Sequence, residues 1–215
     1  VNWAASYEAA FSPPSSSSVW TNTGTVPATV EQIATGLRMF TSSAIGWYND
    51  LVSSIDNGIL CRFRCVCTAD ASIAPSNHHR YVSLATQTST SNYEVEVRLR
   101  ETLLEIYDVA GAATVATVTL TNASTNGVEC IIELSGNKVS AWFREAGIDN
   151  KTWAQVTINS TVVDGGGDPA TRNRIKWGHN IVPSSGQIET VWQYVHATGN
   201  QGAHMHDYTT PADLR

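Results

Sequence analysis

Two carboxylates, Glu94 and Glu96, are the most direct candidates for acid–base chemistry in this sequence. They lie in Tyr93-Glu94-Val95-Glu96-Val97-Arg98-Leu99-Arg100. Strict alternation makes this run a half-exposed antiparallel strand, apolar on one face and charged on the other. Arg98 and Arg100 share the charged face, so the spacing predicts a solvated, charge-balanced surface rather than a catalytic pair. No Gly-x-Ser-x-Gly elbow, phosphate-binding glycine loop or His-Glu-x-x-His helix occurs in the chain.

Metal chemistry has thinner support. His204-Met205-His206-Asp207 puts two imidazoles on one side of an extended segment, and two ligands are too few for a transition-metal site. His78-His79 reads as a loop. Asp56-Asn57-Gly58 and Asp164-Gly165-Gly166-Gly167-Asp168 offer the hard oxygens that calcium takes, but turn chemistry explains both equally well. The expectation is a chain without a metal or other cofactor. Were calcium or another ion bound, Asp164, Asp168, His204 and His206 would be the candidate ligands.

Binding chemistry points to aromatic residues, because sugar C–H faces pack on exposed rings while their hydroxyls seek polar side chains. Trp3, Trp47, Tyr48 and Trp153 stand beside polar or turn residues and are the expected rim aromatics, whereas Trp142, Trp177 and Trp192 read as core. Asn122, Asn150 and Asn159 begin Asn-x-Ser/Thr sequons, relevant only in a eukaryotic secretory setting.

Cys61, Cys65 and Cys67 alternate on one face of Ile59-Leu60-Cys61-Arg62-Phe63-Arg64-Cys65-Val66-Cys67-Thr68. Side chains two apart on a strand stand roughly 6.6 Å apart and parallel, so these three cannot bridge one another. At most one could pair with Cys130, which alternates with Val128, Ile132 and Leu134 on another core face. Four buried free thiols are expected, behaving as small apolar groups in a chain folded in a reducing compartment.

The elements that must carry these residues are strands. Runs with period-two alternation or apolar content fall at 7–11, 36–40, 45–48, 60–68, 80–86, 93–100, 103–109, 114–120, 128–134, 138–144, 153–158, 174–178 and 189–197. Turn formers such as Asn126-Gly127 and Ser135-Gly136-Asn137 separate them. Only residues 30–37 look helical, and Gly36 limits them to about a turn. A dozen short strands without a convincing helix mean an all-β antiparallel sandwich. The predicted organisation is one sandwich over residues 1–198 and a polar tail over 199–215, in which His204, His206, Tyr208 and Arg215 would make assembly contacts.

Composition narrows the function classes. Thirteen Lys and Arg against nineteen Asp and Glu give a net charge of −6, which disfavours a nucleic-acid platform. Charged residues are only 15% of the chain, so the surface is mostly neutral. No apolar run approaches the roughly 20 residues of a membrane helix. The first residues carry neither a basic start nor an apolar core segment, so no export signal is expected.

The order of strands and several short motifs resemble the concanavalin A-like lectin and glucanase superfamily, in particular its laminin G-like jelly rolls. Tyr7-Glu8-Ala9-Ala10-Phe11, Pro13-Pro14 and Trp20 look like the family's first strand and loop, and Gly36-Leu37-Arg38-Met39 like the next strand. Arg80 to Val109 and Val139-Ser140-Ala141-Trp142-Phe143 resemble its middle strands. Arg174-Ile175-Lys176-Trp177-Gly178 and Val191-Trp192-Gln193-Tyr194-Val195 resemble the final pair. Gln193 stands where the family often has Asp. The resemblance implies a jelly roll of concanavalin A-like type. The glucanases of this superfamily use Glu-x-Asp-x-x-Glu, and here Leu99 stands where the second Glu belongs, so glycoside hydrolysis is not expected.

The function expected from the sequence is a non-catalytic binding or assembly module on a virion surface, such as a head-decoration or tail protein, with glycan adhesion as its role. It would be assembled in a host cytoplasm. Its partners would be glycans, other virion proteins or further copies of itself, without nucleic acid or membrane insertion. The rivals are a glycan-active hydrolase or lyase and a secreted, extracellular lectin-like carbohydrate-binding module.

Overall fold

The computed structural model describes residues 5–8, 19–23, 30–41, 44–51, 58–69, 78–121, 123–145, 153–158, 160–167, 172–181 and 188–199. They form fifteen strands and, among the described residues, no helix. In chain order these are β1 (Ala5–Glu8), β2 (Thr21–Asn22), β3 (Val30–Ile33), β4 (Gly36–Thr41), β5 (Ile45–Leu51), β6 (Ile59–Ala69), β7 (His78–Gln87), β8 (Asn92–Leu99), β9 (Leu103–Asp108), β10 (Ala113–Thr119), β11 (Val128–Ser135), β12 (Lys138–Glu145), β13 (Ala154–Gln155), β14 (Arg172–Ile181) and β15 (Ile188–Gly199).

Two antiparallel sheets make the sandwich. Sheet A runs β13-β12-β11-β6-β15-β4-β3, with β1 also paired to β15, and sheet B runs β10-β9-β8-β7-β14-β5-β2. The all-β antiparallel expectation is therefore met. Three readings differ. His78-His79 opens strand β7 instead of forming a loop, because it pairs with Asn180 and Ile181 of β14. The run at 153–158 is a strand only at Ala154–Gln155. Residues 30–33 form a strand rather than a turn of helix, because they pair with β4 through a tight turn, Val30 opposite Met39 and Ile33 opposite Gly36.

Alternation decides which side chains meet between the sheets. Cys61, Phe63, Cys65 and Cys67 of β6 face Val82, Leu84, Val95 and Val97 across one continuous core. All four cysteines are buried free thiols, as their alternation predicts. The aromatic centre is Trp177 of β14. Its ring stacks on Trp47 at 4.8 Å, meets Trp192 at 5.2 Å and Tyr7 at 5.4 Å, and takes Trp20 edge-on at 5.8 Å.

Trp47 was expected at the rim, and this expectation is wrong. It lies opposite Trp177 in the β5–β14 register, which turns it inward with no exposed surface. Trp142 is buried as expected, but outside the sandwich core. Its position in β12 directs it to the outer face of sheet A, where it packs with Leu60, Ile131 and half-buried Trp153.

Candidate functional site

The outer face of sheet B is built from positions that the core leaves over: Gly46, Tyr48 and Asp50 of β5; Arg174, Lys176 and Gly178 of β14; Tyr81 and Ser83 of β7; Glu94, Glu96 and Arg98 of β8; and Tyr107 of β9. Gly46 and Gly178 are directly opposite each other. A Cβ on Gly46 would stand 2.9 Å from the Tyr81 hydroxyl and 2.6 Å from the Trp177 carbonyl oxygen, so glycine is what lets Tyr81 lie across this part of the sheet. Beside it opens a depression of about 220 Å³ bounded by Thr23, Ala44, Tyr81, Glu96, Lys176 and Asn180.

The charges around this depression are ordered by one another. Glu94 accepts the Ser83 hydroxyl at 2.6 Å and the Lys176 ammonium at 3.3 Å. Arg98 donates its Nε to Glu96 at 2.8 Å while its guanidinium carbon lies 3.3 Å from the centre of the Tyr107 ring. Burial, with Glu96 and Glu94 nearby, raises the Tyr81 phenol above its ordinary range, so it stays protonated and able to donate. The face therefore offers a hydroxyl donor, carboxylate acceptors and an ammonium around one hollow. Leu99 points into the core with no exposed surface, leaving β8 the two outward carboxylates Glu94 and Glu96.

Of the aromatic residues singled out in the sequence that fall among the described residues, Tyr48 alone is placed on this face, with the Arg174 guanidinium 4.5 Å from its ring centre. Arg174 is held there by two bonds to Asp50, at 2.5 and 2.8 Å, and these draw the Asp50 carboxyl below its ordinary range. Trp153 lies on the opposite side of the molecule under Arg144, 4.7 Å away. Trp3, Asp168, His204, His206, Tyr208 and Arg215 lie outside the described residues.

Asp164 works as a loop anchor. Its Oδ1 accepts the backbone N–H groups of Asn92 and Gly166, both at 2.9 Å, which together with Ser91 lower its carboxyl. Tyr81 and Lys176 were not among the expected site residues. Alternation alone would have put Tyr81 outward beside Ser83, but its approach to Gly46, thirty-five residues earlier, needs the sheet register.

A second polar cluster lies on the outer face of sheet A. The Glu129 side chain is 1% exposed and accepts Arg62 Nε at 2.7 Å, Arg144 Nε at 2.6 Å and the Tyr194 hydroxyl. Both carboxylate oxygens are thus engaged by side chains of the protein itself.

No protein-family model matches this sequence, and no curated protein matches it. Solved structures do. The fold is similar to SCLam, a non-specific endo-β-1,3(4)-glucanase of family GH16, with TM-score 0.57 and 8% identity over 91% of this chain and 90% of that one. It is similar to the CBM2 module of the evolved Dit of Lactobacillus casei BL23 phage J-1, with TM-score 0.54 and 10% identity over 94% and 97%. A mutant GH43 protein, BlXynB of Bacillus licheniformis, matches with TM-score 0.57 and 7% identity over 90% of this chain, which spans 39% of that protein's length. At these identities the likeness is one of fold, and the fold is an antiparallel jelly-roll sandwich.

Proposed function

We propose that this protein is a non-catalytic carbohydrate-binding module that holds a sugar over the outer face of sheet B. The observation that carries the reading is the hollow between Tyr81, Glu96, Lys176 and Asn180, where donors and acceptors converge beside an aromatic ring. At about 220 Å³ it is smaller than the roughly 300–1,000 Å³ of clefts for drug-sized ligands, which suits one sugar ring or a chain end. The work it would do is adhesion on a virion surface, as a decoration or tail component. That part rests on the neutral surface, the buried free thiols and the fold likeness to a phage module. No cofactor is required for this role.

Glycan-array screening followed by calorimetry on the strongest ligand tests the proposal. Glu96→Ala and Lys176→Ala should each weaken binding about tenfold or more while costing no more than about 1 kcal/mol of stability, since each removes one ion pair at the half-buried rim of the hollow. Binding unaffected by both variants would reject this site. The paired carboxylates of β8 favour a second reading, a hydrolase. Release of reducing ends from β-glucan that disappears in both Glu94→Gln and Glu96→Gln would replace the binding module with that enzyme.

A further inference from the structure

The edges of the two sheets are not alike. β2 and β13 are two-residue strands, β3 carries exposed Glu31, and β1 carries Glu8. Short or charged strands of this kind discourage pairing with another chain. β10 is different. It is seven residues long, pairs among the described residues only with β9, and reads Ala-Thr-Val-Ala-Thr-Val-Thr. It lies within twenty consecutive residues, Val109 to Val128, that contain no charge. Its one guard is a bulge between Thr114 and Ala116, which leaves residues 116–119 in regular register with β9.

The direction of the unpaired backbone groups follows from the ladder. Leu120 N–H donates to Thr102 O, toward β9, so the groups of Thr119 and Thr117 point away from it. Thr117 and Thr119 are exposed, whereas Val118 packs against the core.

We propose that this edge is an interface with a second copy of the chain, joined by antiparallel β10–β10 pairing about a two-fold axis at Thr117. Such an axis sets Thr117 against its own copy as a hydrogen-bonded pair and Ala116 against Val118. Hydroxyl meets hydroxyl on the outer face and methyl meets methyl on the core side. A second copy is the occupant because the strand is self-complementary in this register and has no charge to repel its own image. The axis stands perpendicular to the sheet, so sheet B continues through both copies with the same face outward. If the hollow by Tyr81 binds sugar as proposed above, two such hollows would share that face about 40 Å apart, at roughly 4.8 Å per strand, in a bivalent arrangement.

A seven-residue edge buries less than the roughly 1,200 Å² of a stable dimer, so association should be weak and concentration-dependent. Sedimentation equilibrium on the full chain, from about 10 μM to about 1 mM, should show the mass rising from 23.2 kDa toward twice that value. Thr117→Pro removes an outward N–H, a position where edge strands tolerate proline, and should weaken dimerisation about tenfold or more with the monomer still folded. Thr117→Lys, which sets two ammonium groups directly opposite each other across the axis, should do the same through like charge. A chain that stays monomeric at about 1 mM overturns the proposal. So does a dimer that survives both variants, which would place the contact elsewhere. The readout is independent of sugar binding, so this interface and the glycan site fail separately.

Discussion

Arg80 of sheet B donates its Nε to the Thr190 hydroxyl of sheet A at 2.6 Å, a charge-assisted bond across the interior of the sandwich by a side chain with no exposed surface. Its Nη2 reaches the Glu189 carbonyl oxygen at 2.7 Å, and His179 shares the same hydroxyl at 2.8 Å. Arg80→Ala should therefore cost about 3 kcal/mol, because buried acceptors lose a charged donor. Urea unfolding of both proteins measures this. A loss below about 1 kcal/mol would show that water replaces the guanidinium there.

Trp47 and Tyr48 are sequence neighbours with opposite fates. Trp47→Ala removes a ring stacked in the core and should destabilise by about 3–5 kcal/mol. Tyr48→Ala, at the outer face, should cost less than about 1 kcal/mol. Thermal melts of the two variants check the difference, and equal losses would contradict the register that separates them.

Glu129 gives the fold a defined acid response. Burial alone would push its carboxyl up, but hydrogen bonds from Tyr194, Arg62 and Arg144 hold it below the ordinary range. The folded protein thus takes up this proton less readily than the unfolded chain. The group's contribution is complete above the ordinary glutamate value of about 4.3 and is lost as pH falls through the lowered folded value. Glu129→Gln should cost about 2 kcal/mol near neutrality, where the partly exposed arginines lose their partner, and should flatten the acid limb of stability. Urea midpoints between about pH 3 and pH 7 test this, and an unchanged acid limb would assign the response to other carboxylates.

The thiols should be inert in the native protein. Burial raises Cys61, Cys65 and Cys130, so little thiolate exists to react. A thiol reagent should modify none of the four before denaturant is added and all four afterwards, without reductant. Only two accessible after unfolding would mean that a disulfide had formed.

The strands were legible because their alternation is clean, and most runs marked in the sequence reappear as ladders. What escaped was set by partners distant in sequence. The two-residue strand β2 has too little alternation to signal itself, the run at 153–158 is a strand only at β13, and residues 30–33 become a strand only because β4 folds back on them. Trp192 and Tyr194 would share a face under strict alternation. A register shift between them places Trp192 in the core and Tyr194 outside, against Glu129. Glu129 falls on the face opposite Val128, Cys130 and Ile132, and its burial depends on arginines supplied by β6 and β12. The four thiols were legible because three share one strand, which fixes their face regardless of the rest of the fold.

The opposed glycines under Tyr81 limit how this protein can change by mutation. Gly178 has φ +147°, and a Cβ there would collide with the Ile45 carbonyl oxygen, while Gly46 has no room beneath the phenol. Any larger residue at either place would part β5 from β14, so the floor of the hollow is closed to gradual adaptation. Laboratory selection for a new ligand should instead accumulate changes along the rim, at Thr23, Glu96, Lys176 and Asn180, and leave both glycines untouched. Recognition would drift while the platform stays fixed.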